Sequence, residues 1–142
     1  MKQKMIQAHM DVAARYAELS SAVRLKVGAV IVKSDRIISI GYNGTPSGWD
    51  NVCEFEFEGA LKTKPEVVHA EMNAIAKLAR STESGDQAAM FITHAPCAEC
   101  AKLIIQTGIR DVYYKNTYRD TKGLDMLHLA GIAVQQVNDY NE

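Results

Sequence analysis

Hydrophobic positions recur with two different periods along the 142-residue chain. Between residues 3 and 19, apolar side chains recur every three to four positions, which predicts an amphipathic helix. Two apolar runs rich in β-branched residues follow, at 26–33 and 36–42, and Ser34-Asp35 between them predicts a tight turn. Because both runs are apolar on both faces, the hairpin that they form should lie in a sheet covered on both sides.

From residue 69 onward, helical and extended patterns alternate. The predicted order is helix 69–80, strand 89–94, helix 97–107, strand 111–115, helix 121–130 and strand 132–137. Strands that alternate with helices predict parallel strands joined by crossover helices. We therefore expect an α/β fold, a three-layer α/β/α sandwich with a central mixed five-stranded sheet, formed by one domain over residues 1–142.

Residues 43–66 do not follow either period. A stretch of this length without regular structure is uncommon in a compact domain and is commonly functional. Within it, glutamates alternate with phenylalanines from residue 54 to 58, which fits a strand-like edge or a solvated loop. Trp49 is interpreted as a core residue or an interface anchor.

Composition limits the classes of protein that the chain can represent. With 47% hydrophobic and 23% charged residues, it is not a disordered chain. A net charge of −1 provides no basic field for a nucleic-acid partner, although local arginines could bind a small anion. No apolar stretch approaches the roughly 18 residues of a membrane span, and no signal-peptide core is present. Together with an odd number of cysteines, this predicts a reducing, cytoplasmic location.

The candidate chemistry lies at the start of two predicted helices. Cys97 and Cys100, preceded by Pro96, are three positions apart, so both thiols should lie on one face of a first helical turn. A helix N-terminus stabilises thiolates, the form that binds metal. Successive helix starts in a parallel α/β unit lie at one edge of the sheet, so His69 should join the two cysteines around a zinc ion. Three protein ligands leave the fourth position open for water, as in catalytic zinc sites.

Glu71 should stand beside this zinc without binding it. A carboxylate next to a water activated by zinc can move protons during a hydrolytic reaction. A structural zinc site has no use for such a group, which disfavours a non-catalytic zinc module. A redox pair remains the alternative interpretation of the two cysteines taken alone.

The combined H-x-E and P-C-x-x-C pattern is the signature of zinc nucleobase deaminases. With it, the chain resembles the deoxycytidylate (dCMP) deaminase family of the cytidine deaminase-like superfamily. The matching stretches are residues 27–32, 41–46, 69–75 and 96–105, followed by Gly108, Ile109 and Tyr118. They follow the family order over nearly the whole chain.

The resemblance implies zinc-dependent hydrolysis of dCMP to dUMP and ammonia, which supplies dUMP for thymidylate synthesis. It implies one catalytic zinc on His69, Cys97 and Cys100, and a Glu71 that protonates N3 of the cytosine and then the departing ammonia. The positions that it implies for the substrate are Asn43 for the nucleoside, Arg24, Tyr118 and Arg119 for the 5′-phosphate and its surroundings, and Ala70 as a further substrate-binding residue. Arginine forks suit a phosphomonoester.

Regulation and assembly are also implied by the resemblance. Family members are commonly homo-oligomers, with hexamers favoured, that dCTP activates and dTTP inhibits at a separate site with a divalent cation such as Mg²⁺. The residues that this implies are Gly44, Thr45, Gly48 and Asp50. No nucleic-acid or membrane partner is expected.

The remaining cysteine and histidines receive simpler interpretations. Cys53 is an ordinary thiol, because Val67 stands where a second zinc site would require a histidine. His9 and His128 are interpreted as packing or surface residues. His94 ends a predicted strand just before Pro96, and the sequence leaves open whether it borders the site.

Two other deaminases share parts of this pattern. A tRNA adenosine deaminase should carry more positive charge and lack the long asparagine loop, so the balanced charge and the Gly41-Tyr-Asn-Gly44 element disfavour it. A deaminase of free cytidine would more often have cysteine at the position of His69.

Overall fold

The computed structural model describes residues 1–138, and each predicted helix and strand is present there, with ends that differ by at most two residues. The helices are α1 (Gln3–Ala17), α2 (Ala70–Ala79), α3 (Ala98–Gln106) and α4 (Lys122–Leu129). The strands are β1 (Gly28–Lys33), β2 (Arg36–Tyr42), β3 (Glu54–Phe57), β4 (Ala60–Thr63), β5 (Ala89–His94), β6 (Asp111–Asn116) and β7 (Ala133–Gln136). Within the described residues, none of the helices combines the length and the apolar character needed to cross a bilayer.

The central sheet has five strands in the order β2-β1-β5-β6-β7. Strand β1 is antiparallel to both of its neighbours, whereas β5, β6 and β7 are parallel. Successive side chains of a strand point to opposite faces, so Val30 packs with α1 while Ile31 packs with the helices of the other layer. Helix α1 covers one face and helices α2, α3 and α4 cover the other. The predicted three-layer sandwich with a mixed sheet is confirmed.

The segment between β2 and α2 contains a small hairpin. Strands β3 and β4 pair antiparallel, and Glu58 and Gly59 form the turn with positive φ angles of 51° and 77°. The strand-like interpretation of residues 54–58 therefore holds for β3. Strand β4 escaped prediction because all its residues are exposed and show no buried alternation. Trp49 is 58% exposed, so its interpretation as a core residue is wrong.

The two ends of this segment are joined to each other. Gly44 and Val68 exchange two backbone hydrogen bonds, at 3.1 and 2.8 Å. Within the segment, the amide of Lys64 donates to the carbonyl of Cys53 at 2.8 Å. The chain therefore returns immediately before His69 and the start of α2.

Two glycines allow other backbone segments to approach the starts of α2 and α3 closely. A side-chain carbon at Gly41 in β2 would collide with the carbonyl oxygen of Ala70 in α2. A side-chain carbon at Gly123 in α4 would collide with the carbonyl oxygens of Pro96 and Cys97. The backbones of β2 and α4 thus pack directly against the two segments that carry the predicted metal ligands.

Candidate active site

His69 and Cys97 are the N-cap residues of α2 and α3. Both have extended backbone conformations, with φ/ψ of −69°/155° and −74°/171°. Their carbonyl oxygens accept the first hydrogen bonds of each helix, from the amides of Asn73 and Ala101 at 3.0 and 2.9 Å. Neither side chain is used to cap its helix, so the imidazole and the thiol are left for other partners.

The ligand atoms of His69, Cys97 and Cys100 converge. The Nδ1 atom of His69 lies 3.3 Å from Sγ of Cys100 and 3.5 Å from Sγ of Cys97. The three atoms all lie within 4.8 Å of one another, and this is the one cluster of its kind within residues 1–138. A tetrahedral zinc with ordinary bond lengths places its nitrogen and sulfur ligands about 3.5 Å apart. The donor set and its spacing therefore fit zinc.

Hydrogen bonds link the three predicted ligands to one another. The Cys100 thiol and the His69 imidazole both hydrogen-bond to Cys97, which lowers the pKa of Cys97 to about 3. The pKa of Cys100 is raised, because its proton is held by Cys97 and because it is buried. The hydrogen bond to Cys97 also raises the pKa of His69. A zinc ion can take the place of the protons that these three groups share.

Glu71 lies in the first turn of α2 and is only 4% exposed. Burial raises the pKa of its carboxyl group to about 6, and the nearby His69 opposes this rise. A carboxyl group that titrates close to neutral pH is suited to both accepting and donating a proton. Glu71 is not part of the three-residue cluster but lines the same cavity.

This catalytic cavity has a volume of about 830 Å³. The structure brings together on its walls all the substrate positions predicted from the sequence, namely Arg24, Asn43, Ala70, Tyr118 and Arg119. The cavity is also lined by Thr63, Thr117 and Asp120, which were not predicted from the sequence. Nothing in their local sequence distinguishes them from surface residues.

Asn43 has a second role that the sequence did not predict. Its side-chain oxygen accepts a hydrogen bond from the amide of Val27, and its side-chain nitrogen donates to the carbonyl of Leu25, both at 2.8 Å. The hydroxyl of Ser20 donates to the Asn43 carbonyl at 2.7 Å. Asn43 therefore fixes the chain that leads into β1, which forms part of the cavity wall.

Glu54 supports the part of the cavity wall that carries Arg24, which we call the rim. Its carboxylate is buried and accepts hydrogen bonds from the amides of Val23 and Arg24 at 2.9 and 3.1 Å. The guanidinium of Arg24 donates to the hydroxyl of Thr63 at 3.2 Å. In the sequence, Glu54 is one member of an alternating acidic run, so no local signal separates it from its exposed neighbours.

A second cavity, of about 410 Å³, lies along the same loop. Three of the predicted regulatory residues, Gly44, Thr45 and Gly48, line it, together with Lys77 from α2. Asp50 is adjacent: its carbonyl accepts a hydrogen bond from the Thr45 hydroxyl.

The other cysteine and histidines have the surroundings that were expected. Cys53 is buried 3.5 Å from the hydroxyl of Ser21 and belongs to no metal-binding cluster within residues 1–138. His9 is buried against Phe91, with ring centroids 5.2 Å apart. His128 is exposed. His94, which the sequence left open, lines the catalytic cavity.

A three-layer sandwich with an imidazole, two thiols and a buried carboxyl group at adjacent helix starts defines the class of zinc-dependent deaminases. The sequence model of the cytidine and deoxycytidylate deaminase zinc-binding region matches residues 3–116. The chain therefore belongs to the cytidine and deoxycytidylate deaminase family, and it is a zinc-binding deaminase.

Individual relatives agree with this family. The ComE operon protein 2 of Bacillus subtilis is 38% identical over 137 residues, covering 94% of this chain and 68% of that protein. Deoxycytidylate deaminase of Enterobacteria phage T4 is 34% identical over 172 residues, covering 93% of this chain and 89% of that protein. The crystal structure of dCMP deaminase from the cyanophage S-TIM5 in complex with dCMP and dUMP is 44% identical, with a TM-score of 0.90, and the match covers 96% and 98% of the two chains.

Proposed function

We propose that this protein hydrolyses dCMP to dUMP and ammonia, which makes dUMP available for thymidylate synthesis. The observation that carries the proposal is the buried Glu71 beside the cluster of His69, Cys97 and Cys100, in a cavity that also contains two arginines. The similarity to the cyanophage enzyme with dCMP and dUMP bound supports this choice of substrate.

His69, Cys97 and Cys100 hold the zinc ion, which when bound supplies an activated water for attack at C4 of the cytosine ring. Glu71 takes up a proton during the attack and delivers it to N3. It then takes up the proton of the hydroxyl group on C4 and passes it to the amino group, so that the C4–N bond breaks and ammonia leaves. The new C4–O bond becomes the carbonyl of dUMP, and one water is consumed for each ammonia released. The amide of Ala70, next to Glu71, and the side chain of Asn43 contact the nucleoside.

The decisive assay measures ammonia release from dCMP, dCDP, dCTP, deoxycytidine and an RNA hairpin that contains adenosine. We expect turnover of dCMP, and turnover of the RNA hairpin alone would identify a tRNA adenosine deaminase instead. Glu71→Ala should retain zinc and lose about 10²- to 10⁴-fold in kcat, because the proton carrier is gone. Glu66→Ala, which removes an exposed glutamate in the preceding loop, is the control. An active Glu71→Ala enzyme would contradict the proton-transfer role.

Arg24, Tyr118 and Arg119 bind the 5′-phosphate and its surroundings, because guanidinium groups form paired hydrogen bonds with phosphate oxygens. Arg24→Ala should raise the KM for dCMP by about 10-fold or more while kcat changes little. Arg15→Ala, which removes an exposed arginine of α1, should change neither constant. A KM that does not move in Arg24→Ala would remove Arg24 from the phosphate site.

We also propose that the second cavity binds dCTP as an activator and dTTP as an inhibitor, with Mg²⁺ on the phosphates. Gly44, Thr45, Gly48 and Asp50 form or adjoin it, and Lys77 supplies a positive charge. Titration of each nucleotide against sub-saturating dCMP should raise the rate with dCTP and lower it with dTTP. Flat rates with both nucleotides would contradict this regulation.

We propose further that residues 1–142 form a single domain that assembles into a homo-oligomer, with a hexamer favoured. Trp49 and Val52, beside the second cavity, are 58% and 56% exposed, and such apolar side chains are commonly covered by a partner. Light scattering coupled to gel filtration should give a multiple of 15.7 kDa, and a monomer would contradict assembly.

Elemental analysis should give one zinc per chain. The three free cysteines support a cytoplasmic location.

A further inference from the structure

His94 lines the catalytic cavity. It is the last residue of β5 and stands three positions before Cys97. Its backbone is fixed from both sides by Asn116 in β6. The side chain of Asn116 donates to the carbonyl of Thr93, and the amide of Ala95 donates to the carbonyl of Asn116, at 2.8 and 2.9 Å. The imidazole is half-buried and is not one of the predicted metal ligands.

A chain of two hydrogen bonds ends on this imidazole. The amide of Gly28 donates to the hydroxyl oxygen of Thr93 at 3.1 Å, and the same oxygen lies 3.1 Å from Nδ1 of His94. Thr93 is only 4% exposed, so its hydroxyl proton has no free access to solvent. A backbone amide can only donate, and a hydroxyl group has one proton to give. Within residues 1–138, Nδ1 of His94 is the acceptor within reach of that proton.

The Thr93 hydroxyl therefore donates to Nδ1, and Nδ1 of His94 is an acceptor. The opposite arrangement would leave a buried hydroxyl proton without a partner, which is costly. In the neutral imidazole the remaining proton is then on Nε2. Burial lowers the pKa of His94, which favours the neutral ring. The Nε2 atom makes no hydrogen bond to another residue within 1–138, so this N–H group is available to a molecule in the cavity.

We propose that His94 binds the nucleotide by donating its Nε2–H to a substrate oxygen, and that Thr93 is a positioning residue that fixes this tautomer. The inference rests on the proposed function for the identity of the ligand. The fixed hydrogen-bond chain means that the donor is already oriented before a ligand enters. The acceptor is an oxygen of the pyrimidine ring or of the phosphate, since either oxygen can accept a hydrogen bond from this N–H group.

The tautomer can be measured without any reaction. Two-bond ¹H–¹⁵N correlation spectra of the zinc-loaded protein distinguish a ring protonated at Nε2 from one protonated at Nδ1, and the His94→Gln spectrum identifies the signals. We expect protonation at Nε2 in the wild-type protein and in Thr93→Ser, which keeps the hydroxyl. Thr93→Val should give a mixture of the two tautomers, provided that it folds. A wild-type ring protonated at Nδ1 would overturn the inference whatever Thr93→Val does.

Matched variants of His94 test the contact with the ligand. The amide nitrogen of glutamine lies close to the position of Nε2 in histidine, whereas that of asparagine lies close to the position of Nδ1. His94→Gln should therefore keep the Kd for dUMP within about 3-fold, while His94→Asn and His94→Leu should weaken it by about 5- to 10-fold. Equal affinities in all three variants, with zinc content unchanged, would overturn the contact.

Two comparisons show which part of the nucleotide carries the acceptor oxygen and which of the two proposals has failed. If the acceptor is on the ring, the same pattern of affinities should be found with deoxyuridine, and if it is on the phosphate, the pattern should be found with dUMP only. If the enzyme does not deaminate dCMP, the proposed function fails while the tautomer measurement still stands. If dCMP turnover is intact but the ring is protonated at Nδ1, only the present inference fails.

Discussion

The metal end and the rim of the catalytic cavity are built in different ways. At the metal end, the ligands are N-cap and first-turn residues of α2 and α3, and the backbones of β2 and α4 pack directly against them. At the rim, Arg24 is held by side chains from a separate hairpin, through Glu54 and Thr63. The predicted metal ligands are therefore positioned by close backbone packing, whereas Arg24, which we propose contacts the substrate phosphate, is positioned by a few long-range hydrogen bonds.

This difference predicts that damage at the two ends has different kinetic signatures. A change to a metal ligand or to its supporting backbone should reduce metal content and kcat, because the ligands are lost or displaced. A change at the rim should act mainly on KM, because the reacting groups stay in place. The following variants test that separation, in decreasing order of effect.

The largest effect is expected from the loss of a ligand. Cys100→Ala leaves His69 and Cys97 as the two remaining ligands, so zinc content should fall well below one per chain and kcat should fall by about 10³-fold or more. Metal analysis and ammonia release measure the two quantities. Cys53→Ala, at a buried cysteine outside the cluster, is the matched control and should keep both. Full zinc content and activity in Cys100→Ala would contradict the assigned ligand set.

A smaller effect is expected when the support of the metal end is changed. In Gly123→Ala, the new methyl group would collide with the carbonyl oxygens of Pro96 and Cys97. Relief of that collision requires a backbone shift, so we expect a loss of about 1–3 kcal/mol in unfolding free energy and a lower zinc affinity. Gly44→Ala has open space around the new methyl group and should change neither. Denaturant unfolding and zinc titration with a competing chelator provide the measurements.

At the rim, Glu54→Ala should act on substrate binding. The amides of Val23 and Arg24 would lose their acceptor, so we expect KM for dCMP to rise by about 10-fold while kcat and zinc content stay close to wild type. Glu56→Ala, on the same strand but exposed, is the control. Glu54→Gln keeps one acceptor oxygen and should be intermediate. A loss confined to kcat would contradict the separation of the two ends.

The smallest effect concerns a region remote from both ends. His9 in α1 has a pKa lowered by burial, although the carboxylate of Asp35 opposes this shift, and its Nε2 atom is buried without a hydrogen-bond partner among residues 1–138. The unfolded chain therefore takes up this proton first, at about its ordinary pKa of 6.5. The contribution of neutral His9 to stability is fully present above that pH and is lost as the pH falls below it.

Unfolding free energies between pH 7.5 and 5 check this sign. Wild type should lose more stability than His9→Phe over that range, whereas His128→Gln, at an exposed histidine, should follow wild type. Parallel curves for wild type and His9→Phe would contradict the role of His9. Zinc content should not change in either variant, because α1 lies on the other side of the sheet.

The contrast between the metal end and the rim explains which parts of the site could be predicted from the sequence. The metal ligands and Glu71 lie at helix starts, where periodicity, Pro96 and the spacing of the two cysteines identify them locally. The rim is assembled from partners about 30 to 40 positions apart, such as Glu54 with Arg24 and Arg24 with Thr63. Strand β4 has no buried alternation, and Thr93 resembles any β-strand threonine, so their roles depend on tertiary contacts that no local pattern encodes.

The paired hydrogen bonds between Gly44 and Val68 have a consequence for protein engineering. Because they join the two ends of this segment, residues 45–67 form a closed insert, which contacts the rest of the fold through Cys53, Glu54 and Thr63. Doubling such a loop costs only about 0.6 kcal/mol in closure entropy. Replacement segments that keep these three contact residues could thus alter nucleotide selectivity while the zinc-bearing scaffold folds unchanged.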